Sequence, residues 1–386
     1  LYLGTERGLY ISLDQGEHWA RFSENLPKVA VHDLVVHPTE HDLIIATHGR
    51  GVYVIDDLTP LRGISQEIID SNVAMLPTRP APMVLNTQLQ SFGANDAFVG
   101  NNPPQSATIV YYLKKRHLFG DLKVEVFHED GRLIATLPGA KRRGLNRVEW
   151  PMRFKAPKFP PATSLVPGFL GPRVPEGEYR VVLTKGKETL ESTVQLVADP
   201  RTPHSKADRS AQQTLALELY DMINDLTFLS DNLIEVQAQA KARAEGDASA
   251  LSEALDGFAT ALEELRTSLS SSKGGMITGE EQLRERLGTL YGNVTAYDGK
   301  PTRTQFDRRD TLKGELSEAL GSGEALLSVE LAKINEQLVA AGVEPLSAME
   351  RERWNEKEGM TSFSAAVGQR FWHEQLPLAI STFSLH

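Results

Sequence analysis

The run GLYISLDQGEHWARF at residues 8–22 constrains the fold more than any other stretch of this chain. Two short apolar segments, GLYIS and HWARF, are separated by too few residues for anything but a reversal of direction. The residues between keep the spacing S-x-D-x-G-x-x-W through Ser12, Asp14, Gly16 and Trp19. An aspartate here can accept backbone N–H groups across a turn, and a glycine two residues on supplies a positive φ. Trp19 adds a large apolar ring to cover the turn. The spacing predicts a hairpin whose aspartate works on the backbone, so Asp14 is read as structural rather than catalytic.

The spacing is the Asp-box signature of a β-propeller blade. Leu1 already lies in strand-like sequence, LYLGT, with no initiator Met. After the hairpin come three further candidate strands, HDLVVH, DLIIAT and GVYVIDD. Ile55-Asp56 stands where another S-x-D would begin, and Pro60 closes the segment. Blades usually carry four strands and rings need several blades. Residues 1–60 hold fewer than two blades and cannot close a ring, so we expect the C-terminal piece of a longer protein.

A length of 386 residues predicts two or three domains. A hydrophobic share of 40% suits ordinary cores, and no apolar run approaches the ~18 residues of a membrane span. No signal peptide is visible, which is uninformative for a chain that begins inside a blade. The absence of Cys excludes disulfides and thiolate metal sites and fits both cytoplasm and periplasm. The whole net charge of −10 falls within residues 206–345, while the rest of the chain balances. That argues against nucleic-acid or anionic-membrane binding by the acidic segment. Lys114-Lys115-Arg116 and Lys141-Arg142-Arg143 are read as solvated strand edges or loops.

Residues 61–104 are a Pro-, Asn- and Gly-dotted connection. Strand patterns then resume in SATIVYYL, DLKVEVFHED, RLIATLP, NRVEW, EYRVVLTK and STVQLV. Leu122, Val124 and Val126 alternate with period two, and Asp130-Gly131 marks a hairpin tip. Six such strands predict a small antiparallel sandwich over 105–201. The stretch carrying Pro175, Gly177 and Tyr179 resembles fibronectin type III and immunoglobulin-like modules, and GLNRVEWPMRF is similar to an immunoglobulin-like hook cap. The proline-rich insert 157–175 reads as a long loop of this module.

From Ser210 the period changes. One apolar stripe runs through Leu215, Leu219, Ile223, Leu226, Leu233 and Val236, a second through Leu251, Leu255, Phe258, Leu262, Leu265 and Leu269. Leu283, Leu287, Leu290 and Val294 form a third; Leu316, Leu320, Leu327, Leu331, Ile334 and Leu338 a fourth. Breaks fall at 245–247, 270–275 and 297–301. The pattern predicts an antiparallel four-helix bundle over 206–345 with carboxylates outward. Residues 346–386 form a tail of unknown structure; 360–386 fit a docking strand, a disordered tail or sequence read in a shifted frame.

Candidate chemistry is sparse. Glu263-Glu264 and Glu280-Glu281 are adjacent on a helix and do not face each other. No E-x-x-H accompanies them, so they read as a solvated acidic face. Asn293-Val-Thr295 matches the glycosylation triplet but falls inside the third helix. Asp56-Asp57 is the paired acid near the blade and reads as a strand-end cap. Among His32, His37, His41 and His48, the pair His37-x-x-x-His41 would suit a metal only on a helix, and Pro38 makes HPTEH a turn. His48-Gly49-Arg50-Gly51 precedes a strand, so His48 and Arg50 are the candidate ligand-facing residues, the alternative being a turn fixed by two glycines. No catalytic residue, metal or cofactor is assigned.

The order of parts resembles the C-terminal portion of large bacterial BNR-repeat proteins, often labelled glycosyl hydrolases and related to sortilin-type propellers. The residues that carry this are the Asp box (Ser12, Asp14, Gly16, Trp19), THGRGVYVIDDLTPLR at 47–62 and YDGKPTRTQ at 297–305. The resemblance covers roughly residues 1–350. It implies terminal β-propeller blades, an immunoglobulin/fibronectin-like sandwich and a helical bundle in a periplasmic or extracellular protein. The sialidase-type and opposed-carboxylate machineries of such hydrolases are not supplied by the residues present. The expectation is a non-catalytic accessory portion that binds glycan or protein and completes its own upstream propeller. A glycoside hydrolase with its catalytic residues upstream, and a scaffold acting through the acidic bundle, are the alternatives.

Overall fold

The structure, a computed structural model, describes residues 1–23, 25–84, 105–161, 170–244, 250–271 and 281–356. Over the described residues the chain divides into two units, Leu1–Phe154 with Val174–Thr202, and Lys155–Arg173 with Pro203–Glu356.

The first unit begins with two small antiparallel sheets. One is β1 (Tyr2–Thr5), β2 (Gly8–Ile11) and β3 (Ala20–Phe22); the other is β4 (Val31–Val36), β5 (Leu43–Thr47) and β6 (Val52–Ile55). Alternation decides what each face does. Leu9 and Ile11 from β2 meet Leu43 and Ile45 from β5 in a core closed by Leu26, Val31, Leu58 and Leu61. Where the two sheets approach, Gly4 leaves no room for a side chain: a Cβ there would lie 2.7 Å from the Val31 carbonyl oxygen. On the reverse face of the second sheet the register aligns Val35, Ile44 and Val54 in one row and Asp33, Ala46 and Val52 in the next. Val35, Val52 and Val54 stay 50%, 66% and 52% exposed. That sheet is apolar on both faces and covered on one.

The stretch read as a mere connection contributes structure. It carries α1 (Thr59–Arg62), α2 (Gln66–Asp70), β7 (Val73–Leu76) and β8 (Ala81–Met83), while residues 85–104 lie outside the described ones. The six anticipated strands follow as β9 (Ala107–Leu113), β10 (Leu122–Phe127), β11 (Leu133–Pro138), β12 (Gly144–Trp150), β13 (Gly177–Lys185) and β14 (Glu188–Ala198). With β7 and β8 they form a three-stranded sheet, β12-β9-β7, and a five-stranded sheet, β11-β10-β13-β14-β8, curled as a half-barrel. The β14–β8 pairing is parallel, and Pro82, which has no N–H to give, is tolerated because β8 is an edge. Both sheets feed one core built on Tyr111, Val124, Trp150, Tyr179 and Val181. The Trp150 and Tyr179 rings meet edge to face at 5.0 Å, and Tyr179 Oη donates to the Pro175 carbonyl at 2.8 Å. At the β10–β11 tip Gly131 takes φ 85, as Asp-Gly predicts.

The second unit is helical: α3 (Lys206–Ala244), α4 (Ala250–Leu269), α5 (Leu283–Thr295), α6 (Arg303–Glu324), a π-helical segment at Ala325–Glu330, α7 (Leu331–Ala340) and α8 (Arg351–Glu356). All four apolar stripes enter its core, the fourth running through α6, the π-helical segment and α7 rather than one helix. The break at 297–301 falls between α5 and α6, while those at 245–247 and 272–275 lie outside the described residues. The fourth helix starts well before its stripe, at a capping box in which Thr302 and Gln305 bond each other's backbone N–H. The tail adds α8, whose Trp354 is buried and donates from Nε1 to Asp231 at 2.7 Å; residues 357–386 lie outside the described ones. The proline-rich insert is a correction too, because residues 155–173 belong to the helical unit. Thr227 Oγ1 donates to the Lys158 carbonyl at 2.6 Å, Arg284 Nε to that of Pro160 at 2.7 Å, and Tyr291 Oη to that of Leu170 at 2.6 Å. Its main-chain carbonyls cap polar groups that helix packing alone would strand.

Candidate functional site

The β2–β3 turn is a closed hydrogen-bond network. Ser12, almost wholly buried, donates from Oγ to Asp14 Oδ1 at 2.8 Å and accepts the Gly16 N–H at 2.7 Å. Asp14 Oδ1 also accepts the His18 N–H at 2.9 Å, and Oδ2 faces His18 Nδ1 at 2.7 Å. Trp19 donates from Nε1 to the Gly16 carbonyl at 3.1 Å, with its ring beside Gly16. Gln15 and Gly16 take φ 62 and 103, the reversal the motif requires. The His18 backbone N–H, helped by Ser12 and the His18 ring, holds the Asp14 carboxyl well below the usual carboxylate range. Asp14, Glu17 and His18 also place three ligand atoms within 4.8 Å of one another at the exposed rim of the turn.

His48 and Arg50 lie exposed at the β5–β6 turn. Gly49 and Gly51 take φ 73 and 80, the turn fixed by two glycines that was one of the two alternatives. Thr47 N and Oγ1 both donate to the Gly51 carbonyl, at 3.1 and 2.6 Å, which narrows the loop. Opposite, the β4–β5 register slips between Val31 and Asp33, a β-bulge that leaves His32 as the extra residue. The His48 N–H still reaches the Ala30 carbonyl at 2.9 Å. The His32 and His48 rings consequently sit 5.1 Å apart, centroid to centroid. Arg50 has no hydrogen bond or ion pair among the described residues.

The opposite end of the same sheet gathers carboxylates. Asp57 caps α1 by accepting the Thr59 N–H at 3.0 Å, and its own N–H goes to Asp42 Oδ1 at 2.9 Å. Among the described residues Asp56 makes no capping bond; desolvation, with Asp42 beside it, pushes its carboxyl up against the pull of Arg147 and Arg79. Residues 37–41 form the turn Pro38 predicts: His37 Nδ1 accepts the Glu40 N–H at 3.1 Å and His41 stands at φ 59.

Comparison with protein-family models, curated proteins and solved structures found no match for this chain. Within the helical unit, Glu263 is bound by Arg266 at 2.8 Å, and that bond holds its carboxyl below the usual range. Glu263 and Glu264 line an open groove of about 310 Å³ together with Gln237, Lys241 and Asp256. Glu280 lies outside the described residues. Asn293 and Thr295 sit in α5, as read.

Sequence reasoning missed the pairing of His32 with His48, because a bulge is a property of register. It also missed Arg284 and Glu285, both buried, whose side chains meet at 2.8 Å. An Arg-Glu pair inside an otherwise apolar helical face was the available signal.

Proposed function

We propose that this chain is the non-catalytic accessory portion of an exported propeller protein of the Asp-box kind, binding glycan or protein. The observation that carries the reading is the β4–β5–β6 sheet. It buries Leu43 and Ile45 against a stacked neighbour and offers Val35, Ile44, Val52 and Val54 on its other face. A sheet with two apolar faces is stable when stacked on both sides, which is how a blade sits in a ring. The self-satisfied turn from Ser12 to Trp19 supports a structural Asp box. The Tyr179–Pro175 hydrogen bond supports an immunoglobulin/fibronectin-like sandwich, since a tyrosine bonded to backbone a few residues upstream recurs in that architecture. The four stripes support an antiparallel bundle.

One observation favours hydrolysis instead. Asp56 is a carboxyl pushed toward its protonated form beside a second acid, the arrangement a general acid uses. In that reading the partner carboxylate and substrate channel come from blades upstream. Extending the reading frame ahead of Leu1 tests the proposal: further S-x-D-x-G-x-x-W repeats and an export signal are expected. A start codon within a few residues of Leu1 would overturn it.

A further inference from the structure

We infer that His32, His48 and Arg50 form a binding corner for the carboxylate or sulfate group of an acidic saccharide, an inference that rests on the accessory-binding reading above. Three independent features bring the corner about. The bulge at His32 turns an additional imidazole toward the β5–β6 turn, where its ring lies 5.1 Å from that of His48. Bulges of this kind re-aim side chains at functional edges. The turn itself is held in place by two hydrogen bonds from Thr47 and two glycines at positive φ, so little ordering remains when a ligand arrives. Arg50, at its tip, is exposed and has no partner among the described residues.

The chemistry offered is that of N–H donors. A guanidinium presents a planar fork that matches the two oxygens of a carboxylate or sulfate, and imidazoles add donors beside it. The tip carries no apolar side chain of its own. Val52, the nearest one in sequence, belongs to the face that a stacked sheet covers in the accessory reading. Protein partners anchor through buried aromatic and aliphatic groups, which this corner lacks. A small anionic group on a polar polymer needs only the donors.

Affinity electrophoresis of the full chain through gels containing alginate, heparin, laminarin or polyglutamate tests this. Retardation by alginate shows that a carboxylate suffices; because heparin carries both groups, retardation by heparin without alginate identifies sulfate. Neutral laminarin should leave mobility unchanged, and polyglutamate should retard less than alginate. Arg50→Ala should weaken binding by about tenfold or more, the usual effect of losing hydrogen bonds to a charged group. His32→Ala should weaken it as well, whereas Lys187→Ala, an exposed cation in the β13–β14 turn, should not. Equal retardation by polyglutamate, equal loss in Lys187→Ala, undiminished binding in both corner variants, or no retardation by either acidic glycan would each overturn the inference. Binding of laminarin alone would sink the corner and leave the accessory reading standing. Hydrolysis of a glycan by the chain would sink that reading whatever the corner does.

Discussion

Ser12 Oγ lies 2.8 Å from Asp14 Oδ1 and at the same time receives the Gly16 N–H, so one buried hydroxyl ties the aspartate to the far side of the turn. Ser12→Ala removes both bonds and leaves the Gly16 N–H without its acceptor. The expected loss is about 1–2 kcal/mol of unfolding free energy, read from denaturant midpoints. Asp14→Ala should also lower the melting temperature while glycan or protein binding stays put. Unchanged melting with lost binding would make this turn a ligand site.

The pH dependence of that turn has a definite sign. The folded protein holds the Asp14 carboxyl below its ordinary value, so the unfolded chain takes up this proton first as pH falls. The stabilisation is complete above the usual carboxylate range and drains away as pH drops through that range toward the lower folded value. Melting temperatures of the wild type and Asp14→Asn should therefore converge below about pH 4. A gap between them that widened with acid would contradict the assignment.

Tyr179 offers a cleaner single-bond test. Its ring stays against Trp150 in Tyr179→Phe, and only the 2.8 Å bond to the Pro175 carbonyl disappears. About 1–2 kcal/mol should be lost, with the near-ultraviolet signature of packed Trp150 retained. Loss of that signature would mean the hydroxyl organises the core rather than tying down one end of β13.

In the helical unit the Arg284–Glu285 pair is almost fully buried, and Arg284 also bonds the Pro160 carbonyl. Arg284→Ala leaves Glu285 short of its charge partner, although the Ser271 and Gln282 N–H groups still reach it. A destabilisation of about 3 kcal/mol is expected. A variant as stable as wild type would show that the buried pair and the bond to the Pro160 carbonyl add nothing to the stability of the helical unit.

What the sequence revealed follows the range of the signal. The stripe through Leu215, Leu219 and Ile223 and the alternation through Leu122, Val124 and Val126 repeat over many residues, so helices and strands were legible. β8 was not, because three residues with a central proline show no period and their partner, β14, lies over a hundred residues away. α8 spans too little chain to display a stripe, and only Trp354 betrays it. The start of α6 was written in Thr302 and Gln305, but its first fully buried apolar residue comes ten residues later at Leu312, with only Phe306 packing in between. His48 and Arg50 were visible through their flanking glycines. His32 became part of the same corner only through a slipped register, which no spacing within one strand encodes.

The accessory role proposed for this chain is binding without glycoside cleavage. Hydrolysis of a glycosidic bond generally takes two carboxyl groups held about 5–10 Å apart across it. Asp14 is consumed by its turn and Asp57 by a helix cap, and Asp56 is left without an assigned opposing group. The direct measurement is turnover of aryl glycosides by the purified chain, side by side with Asp56→Asn. The account predicts no turnover above buffer for either protein; cleavage by the wild type that Asp56→Asn abolishes would contradict it.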